Sequence, residues 1–343
     1  MLLHYLRKRK RTATRQYDVK IKSRMNPSVS LVIPTYNGAS FIGETLASIY
    51  AQSQAPDEVL IVDDGSTDQI QSVVASIARQ SSIPIRFTQL PKKSGSPAKP
   101  LNVGISNAKG EFILTNDQDD LMRPRRVEAS LKALRAFPEC GLALGRFSIL
   151  GFAEGDLRQV WPTAQFSDIS AYIDPATEFS VVDSKAAFAA LLLKNFAGST
   201  SNFCFTKRLW EKTGGFDESV KTCSDLDFIL RVVIESPIVI INEILFDYRW
   251  REGSLNHVDT RKTDIELTRV RLAAASSRPA WAGEQRQVLE DSAFHAGKLA
   301  LKRGDLPELI AVLKTLLKNG EFRPLLKRKL GRPKNAGPVS DAP

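Results

Sequence analysis

Three carboxylates, Asp117, Asp119 and Asp120, fall within four residues at the end of the apolar run GEFILTNDQDD. On extended backbone, alternate side chains share a face, so Asp117 and Asp119 can converge. Carboxylates crowded there without basic neighbours suit a hard divalent cation, whose octahedron phosphate oxygens or water would complete. The same spelling also serves as a helix N-cap, with Asp120 or a neighbour closing a helix that begins near Pro124. A second acidic strand end, IVDDGSTDQ, sets Asp63 beside Asp64 before a Gly65-Ser66 turn. A carboxylate in that place can accept from the N–H of a base such as uracil, or it can simply face water. Tyr36, after the run VSLVIPT, could stack on such a base or pack as an ordinary aromatic.

These residues need a frame that brings strand ends together. SVSLVIPTYN has the continuous β-branched and apolar character of a strand buried on both faces. FIGETLASIYAQS, with Ser40 available as its cap, returns apolar residues at helical spacing. EVLIVDD and TDQIQSVVASIAR repeat strand and helix, IPIRFTQL reads as a third strand, and a loop PKKSGSPAKP leads to a short helix around LNVGISNA. GEFILTNDQDD is the fourth strand, and RPRRVEASLKALRAF a helix entered through Pro124. Strand–helix alternation predicts a parallel sheet with right-handed crossovers, in which ligands bind beyond the carboxyl ends of the strands. PTYN, DDGS and NDQDD all lie on that edge.

Beyond residue 138 the pattern is less regular. CGLALGRFSILGF and SNFCFTKRLW read as strands, WPTAQFSDISAYIDPATEFS as a long loop, SDLDFILRVVIE as a helix and IVIINEILFDYRW as a strand pair. After His257 only helical patterns follow, in TDIELTRVRLAAAS, EQRQVLEDSAFHAGKLALKRG and LPELIAVLKTLLKNG, before a tail, GRPKNAGPVSDAP, that reads as disordered.

The net charge of +10 belongs to the ends: residues 1–24 carry nine Lys/Arg against one acid, and residues 298–343 eleven against four, leaving about −5 between them. The leader MLLHYLRKRKR reverses the order of a secretory signal, and no apolar run approaches the ~18 residues of a membrane span. The expected location is cytoplasmic, with the basic ends able to meet an anionic inner membrane face. Neither end has the aromatic interleaving or zinc spacing of a nucleic-acid binder, and His4, His257 and His295 show no metal-ligand spacing. Three cysteines, Cys140, Cys204 and Cys223, sit in or near apolar segments and read as buried reduced thiols.

Three blocks carry a resemblance in their order and spacing: SLVIPTYNGASFIGETLASIYAQSQAPDEVLIVDDGSTD, LNVGISNAKGEFILTNDQDD and GGFDESVKTCSDLDFILRV. Over about residues 28 to 255 they resemble the inverting family 2 glycosyltransferases of GT-A fold. The resemblance implies an α/β, mostly parallel sheet flanked by helices, with a C-terminal helical extension. It implies a nucleotide-diphosphate sugar donor and Mg²⁺ or Mn²⁺ as cofactor. Pro34, Thr35, Tyr36 and Asn37 match the segment lining the nucleoside, and Asp63 the acid contacting the base. Asp117 and Asp119 match the DxD positions, with Asp119 the stronger metal ligand, and Gln118 is grouped with the donor-binding residues. Asp225 matches the general base.

The chain departs from the family at three places. Ser224 stands where an acid usually precedes the base. Leu101-Asn102 replaces Arg-Asn, so Lys99 is expected to supply the positive charge beside Asn102. Tyr248-Arg249-Trp250-Arg251 replaces Tyr-Arg-x-His, so Arg251 either meets phosphate or, like Arg249, pairs with Glu252 or Asp247. Asp227 is the fallback base, and a helix N-terminal acid is the alternative role for Asp225.

The resulting expectation is metal-dependent, inverting transfer of one sugar, UDP- or dTDP-linked, to a hydroxyl of a cell-surface glycan or lipid-linked acceptor. The alternative is a nucleotide-sugar-binding scaffold with the same fold. A nucleotidyltransferase would want a Gly-rich basic loop after the first strand, which PTYNGAS lacks. The expected organisation is a basic leader (1–24), a GT-A domain (25–255) divided into nucleotide-binding (25–123) and acceptor (124–255) halves, a helical extension (256–330) that could serve as a dimerisation arm, and a tail (331–343).

Overall fold

A computed structural model describes residues 28–151, 164–251 and 260–283, with isolated helical positions as far as residue 314. The leader, the tail, Glu252, His257 and most of the expected helices after residue 283 lie outside the described residues. In chain order the elements are β1 (Val29–Thr35), α1 (Ile42–Tyr50), β2 (Glu58–Asp63), α2 (Ile70–Ala78), β3 (Ile85–Gln89), α3 (Ala98–Asn107) and β4 (Phe112–Thr115). Then come β5 (Leu121–Met122), α4 (Arg126–Ala136), β6 (Leu142–Leu150), β7 (Phe179–Val182), α5 (Ser184–Leu191) and β8 (Cys204–Thr206). The last are α6 (Lys207–Thr213), α7 (Ser224–Glu235), β9 (Ile238–Arg249), α8 (Thr260–Ser277) and α9 (Pro279–Ala282).

The sheet runs β3-β2-β1-β4-β8-β6-β9-β5, with β7 also paired to β9. Its β3-β2-β1-β4 half is wholly parallel. Leu31, Ile33, Val59 and Ile61 pack on one face, and Val32, Leu60 and Ile113 on the other. Burial on both faces is why these strands read as unbroken apolar runs. The chain leaves β1 for β2 and β3 on one side and returns to β4 on the other, so a crevice opens between the ends of β1 and β4. Antiparallel pairing of β8 with β4, Leu114 opposite Cys204, brings the segment before β8 to that same edge.

Several local expectations need correction. Ser40 does not cap α1; Phe41 occupies the cap position with helical backbone, and the Gly38 carbonyl accepts from the N–H of Phe41 and Ile42, both at 3.0 Å. IVIINEILFDYRW is one strand, not a pair. Its register against β6 jumps from Ile241 opposite Gly145 to Ile244 opposite Arg146, so the polar Asn242-Glu243 step is a β-bulge. Asn242 there donates to the carbonyls of Asp174 (2.9 Å) and Thr177 (2.8 Å), and Glu243 pairs with Arg125 at 3.1 Å. The stretch expected as a long loop holds, in its described part, a 3-10 helix at Ser167–Tyr172 and the start of β7. Only Cys204–Thr206 of SNFCFTKRLW is strand; Thr206 caps α6 through Leu209 N–H, and Gly214 ends that helix at φ 79°.

Helices α8 and α9 join the same core as α5 and α7. Val270, Leu272 and Ala275 of α8 are buried in the same cluster as Phe228 and Ile229 of α7, and Trp281 of α9 meets Phe188 of α5 edge-on at 5.8 Å.

Candidate active site

At the β1–β2 end, polar side chains hold one another. Asp63 is fully buried and accepts from Thr35 Oγ1 (3.1 Å), Ser66 N–H (2.9 Å), Gln89 Nε2 (3.0 Å) and, closely, Ser66 Oγ. Both of its oxygens are occupied, so a base N–H would have to replace Ser66 or Gln89. Asp64 fixes the loop after β3 by accepting from the backbone N–H of Ser94 (2.7 Å) and Gly95 (3.0 Å). Asn37 adopts φ 49°, a left-handed conformation that asparagine tolerates better than most residues. Its N–H donates to Ser66 Oγ (2.7 Å) and its Oδ1 accepts from Thr67 N–H (2.9 Å).

Three residues expected to touch the donor make different contacts. Gln118 clamps the Tyr36 backbone with both ends of its amide: Oε1 accepts from Tyr36 N–H at 2.9 Å and Nε2 donates to its carbonyl at 3.0 Å. A Cβ on Gly38 would lie 2.1 Å from Gln118 Oε1, so glycine is required beside this clamp. Asn102 donates to the Phe216 carbonyl (2.8 Å) and accepts from Phe216 N–H (2.9 Å), holding the GGFDE turn. Lys99, in the first turn of α3, has no side-chain hydrogen bond or ion pair among the described residues. Tyr36 is 36% exposed, and Lys93 Nζ stands 3.7 Å over its ring. A base stacking on that face would displace the ammonium. Pro34 lies buried within β1 opposite Val62.

The acidic end of β4 is the electrostatic centre. Asp117 accepts from Thr200 Oγ1 (2.7 Å) and Ser199 Oγ (3.2 Å), and its N–H donates to Ser201 Oγ (2.8 Å). Burial raises its pKa to about 6, with Asp119 and Asp225 adding repulsion and the two hydroxyls opposing. Asp120 is driven well above the usual carboxylate range by burial and then by Asp117 and Asp119. Its Oδ1 accepts from Arg249 N–H at 2.8 Å, and its Oδ2 is buried without a hydrogen-bond partner among the described residues. Beneath them Arg126, 1% exposed, donates to Asn116 Oδ1 and the Thr115 carbonyl, each at 2.6 Å. Burial lowers its pKa to about 10.

The arginines after β9 correct another expectation. Arg251 Nε pairs closely with Asp119, and Arg249 Nε reaches the Asp119 carbonyl at 2.9 Å while its other end pairs with Glu44. Asp247 pairs instead with Arg123 at 2.7 Å.

Asp117 and Asp119 put two carboxylates at one strand end, oxygen donors of the kind a hard divalent cation takes. Among the described residues no group of three or more His, Cys, Asp or Glu side chains is arranged to hold an ion unaided. Water or phosphate oxygens would therefore share the shell, and Asp119 would exchange Arg251 for the ion.

Asp225 stands in the first turn of α7 and receives Asn195 Nδ2 at 2.7 Å. Burial raises its pKa, against the pull of the Leu226 backbone N–H and the Asn195 amide. Asp227, the fallback base, is bound to Arg231 at 2.6 and 3.0 Å, and that arginine also donates to the carbonyls of Thr213 and Gly215. Ser224 is buried at 2% exposure. Behind α7, Glu266 of α8 accepts from the N–H of Lys221 (2.9 Å), Thr222 (2.6 Å) and Cys223 (3.3 Å) and from Thr222 Oγ1 (2.7 Å).

Sequence reasoning missed Arg126, Asn195, Ser199, Thr200 and Glu266. Only the polar run GSTSN before β8 offered a signal, as a fourth polar segment reaching the edge. The three cysteines are buried and free, and burial pushes the Cys140 and Cys204 thiols up to about 12.

Comparisons with known proteins agree with this geometry. Residues 30–175 match the family model Glycosyl transferase family 2. An uncharacterized glycosyltransferase of Rickettsia typhi is 27% identical over 224 residues, covering 65% of this chain and 64% of the relative, just under two thirds of its length. The crystal structure of Staphylococcus aureus TarS 1–349 in complex with UDP-GlcNAc superposes with TM-score 0.63 at 20% identity, over 85% of this chain and 81% of that one. A mannosyltransferase from Pyrobaculum calidifontis, in complex with GDP-Man and Mn²⁺, gives TM-score 0.52 at 20% identity, over 93% and 94%. The chain carries a family 2 glycosyltransferase domain of the GT-A fold. Among the described residues no helix is long and apolar enough to cross a membrane.

Proposed function

We propose that this protein transfers a single sugar, with inversion, from a nucleotide-diphosphate donor to a hydroxyl of a cell-surface glycan or lipid-linked acceptor. The observation that supports it best is the meeting of Asp117, Asp119 and Asp225 at one sheet edge, close enough that Asp119 and Asp225 both raise Asp117. Asp225 takes the proton of the acceptor hydroxyl. The hydroxyl oxygen bonds to the anomeric carbon from the face opposite the leaving group, and the bond from that carbon to the diphosphate oxygen breaks with its electron pair. A bound Mg²⁺ or Mn²⁺ would stabilise charge building on the departing diphosphate, with Asp117 and Asp119 as the residues that hold it.

A UDP-linked donor is favoured over a dTDP-linked one by the TarS neighbour's complex. On this reading Tyr36, Pro34 and Thr35 border the nucleoside, Asp63 exchanges a partner for the base N–H, and Lys93 and Lys99 supply unpaired positive charge toward the donor. The basic ends bring the enzyme to an anionic membrane face where lipid-linked acceptors sit.

A thermal-shift panel of nucleotide sugars with Mn²⁺, followed by product analysis on the best binder, tests the reading. Stabilisation by UDP sugars and release of UDP support it. A second reading, a nucleotide-sugar-binding scaffold, is favoured by buried Ser224 in place of an acid and by Arg251 on Asp119. Tight UDP binding without product from any acceptor would select it.

A further inference from the structure

The amide of Asn195 has one partner. Its Nδ2 donates to Asp225 Oδ2 at 2.7 Å, and its Oδ1 is buried without any hydrogen-bond partner among the described residues. A buried carbonyl left unpaired is destabilising, so its persistence asks for a reason. The backbone beside it is fixed: Gln165 Nε2 donates to the Phe196 carbonyl at 3.0 Å, and Asn202 Nδ2 to the Ala197 carbonyl at 2.9 Å. The side chain therefore starts from an immobile base, while its amide is held only by Asp225.

An amide offers N–H to a carboxylate and C=O to a carboxylic acid. We propose that Asn195 is the positioning residue of the proton-transfer step: it fixes one oxygen of Asp225, presents the other to the acceptor hydroxyl, and closes side-on against Asp225 once that second oxygen is protonated, with Nδ2 still donating to the first. The unpaired Oδ1 then accepts the new O–H. This inference rests on Asp225 being the base. It also gives a role to the neutral Ser224, since a carboxylate in that place would compete for the same proton whereas the amide serves both protonation states.

Other groups facing Asp225 do not substitute for Asn195. Asp227, on the same helix, is paired with Arg231 at 2.6 Å and adds only repulsion to Asp225. Cys223, one residue before α7, is held protonated by burial and by the nearby Glu266. Asp117, from the end of β4, contributes only repulsion.

The full-length protein labelled with ¹³C at aspartate carboxyls tests the proposal, with the Asp225 signal assigned by its loss in Asp225→Asn. The midpoint should rise by roughly one pH unit in Asn195→Ala, and further in the isosteric Asn195→Asp, where a like charge is added. With UDP-GlcNAc and Mn²⁺ as probe, the acid limb of kcat/KM should move the same way, with activity recovering at alkaline pH. A merely structural role would lower activity at every pH. An Asp225 midpoint unmoved in both variants overturns the proposal. Full turnover by Asp225→Asn would instead overturn the base assignment, so the two failures are distinguishable.

Discussion

At the β1–β2–β4 edge the polar residues hold one another across neighbouring strand ends and the loops that follow them, whereas Asp225 is held by a side chain that comes from outside the sheet. Asp63, Asp64, Asn37 and Gln118 are hydrogen-bonded to Thr35, Tyr36, Ser66, Thr67, Gln89, Ser94 and Gly95. Asp225 is held by Asn195, 30 residues away, and its helix is anchored through Glu266 on α8. The first arrangement is preorganised by a rigid parallel sheet and suits a ligand bound the same way each time. The second places Asp225 on a wall built from α5, α7 and α8, apart from the hydrogen bonds of the β1–β2 end.

The contrast is broken most strongly at the acidic end of β4. Asp119→Asn should lower turnover of a UDP sugar by about 10²–10³-fold, because it weakens the set that supports the departing diphosphate. The measurement is the steady-state rate with and without EDTA; rates that chelation leaves untouched would refute the metal role. On the nucleotide side, Gly38→Ala forces a methyl against Gln118 and should destabilise the fold by about 1–3 kcal/mol. It should also weaken UDP affinity by calorimetry while leaving the Asp225 titration unmoved.

On the acceptor side, Glu266→Ala leaves three backbone N–H groups without their acceptor and should cost about 1–3 kcal/mol in denaturant unfolding. Burial alone would raise the Glu266 pKa, but the donors from Lys221, Thr222 and Cys223 outweigh it and hold the carboxyl below its ordinary value. The stabilisation is therefore full above the ordinary glutamate range and is lost as pH falls through the depressed folded value. The difference between wild type and Glu266→Ala should shrink in that acidic window, and a pH-independent difference would argue against the ionised contact. The smallest effect expected is on UDP binding without metal: Asp63→Ala should weaken it severalfold, through loss of the turn it organises as well as any base contact.

The parallel half was legible because burial on both faces writes itself as continuous apolar runs, and because acids at strand ends stand out against them. Asn242-Glu243 was misread because a bulge and a turn both interrupt such a run with polar residues, and only the partner strand tells them apart. The short edge strands β5 and β7 have too few residues for a period to show. Gln118 and Asn102 were readable as polar residues near the site, but not as clamps on Tyr36 and Phe216, since an amide's partner is set by tertiary contact. Asn195 and Glu266 carried no local pattern at all. Asp225 was found through resemblance, and what orients it emerged only in three dimensions.

If Asp225 takes the acceptor's proton, its loss should slow transfer and leave nucleotide binding intact. The most direct measurement is transfer from a saturating UDP sugar by Asp225→Asn, alongside UDP affinity by calorimetry. The account predicts kcat lowered by about 10²–10⁴-fold with UDP affinity unchanged within about twofold. Full transfer by the variant, or equal loss of transfer and UDP binding, would contradict it.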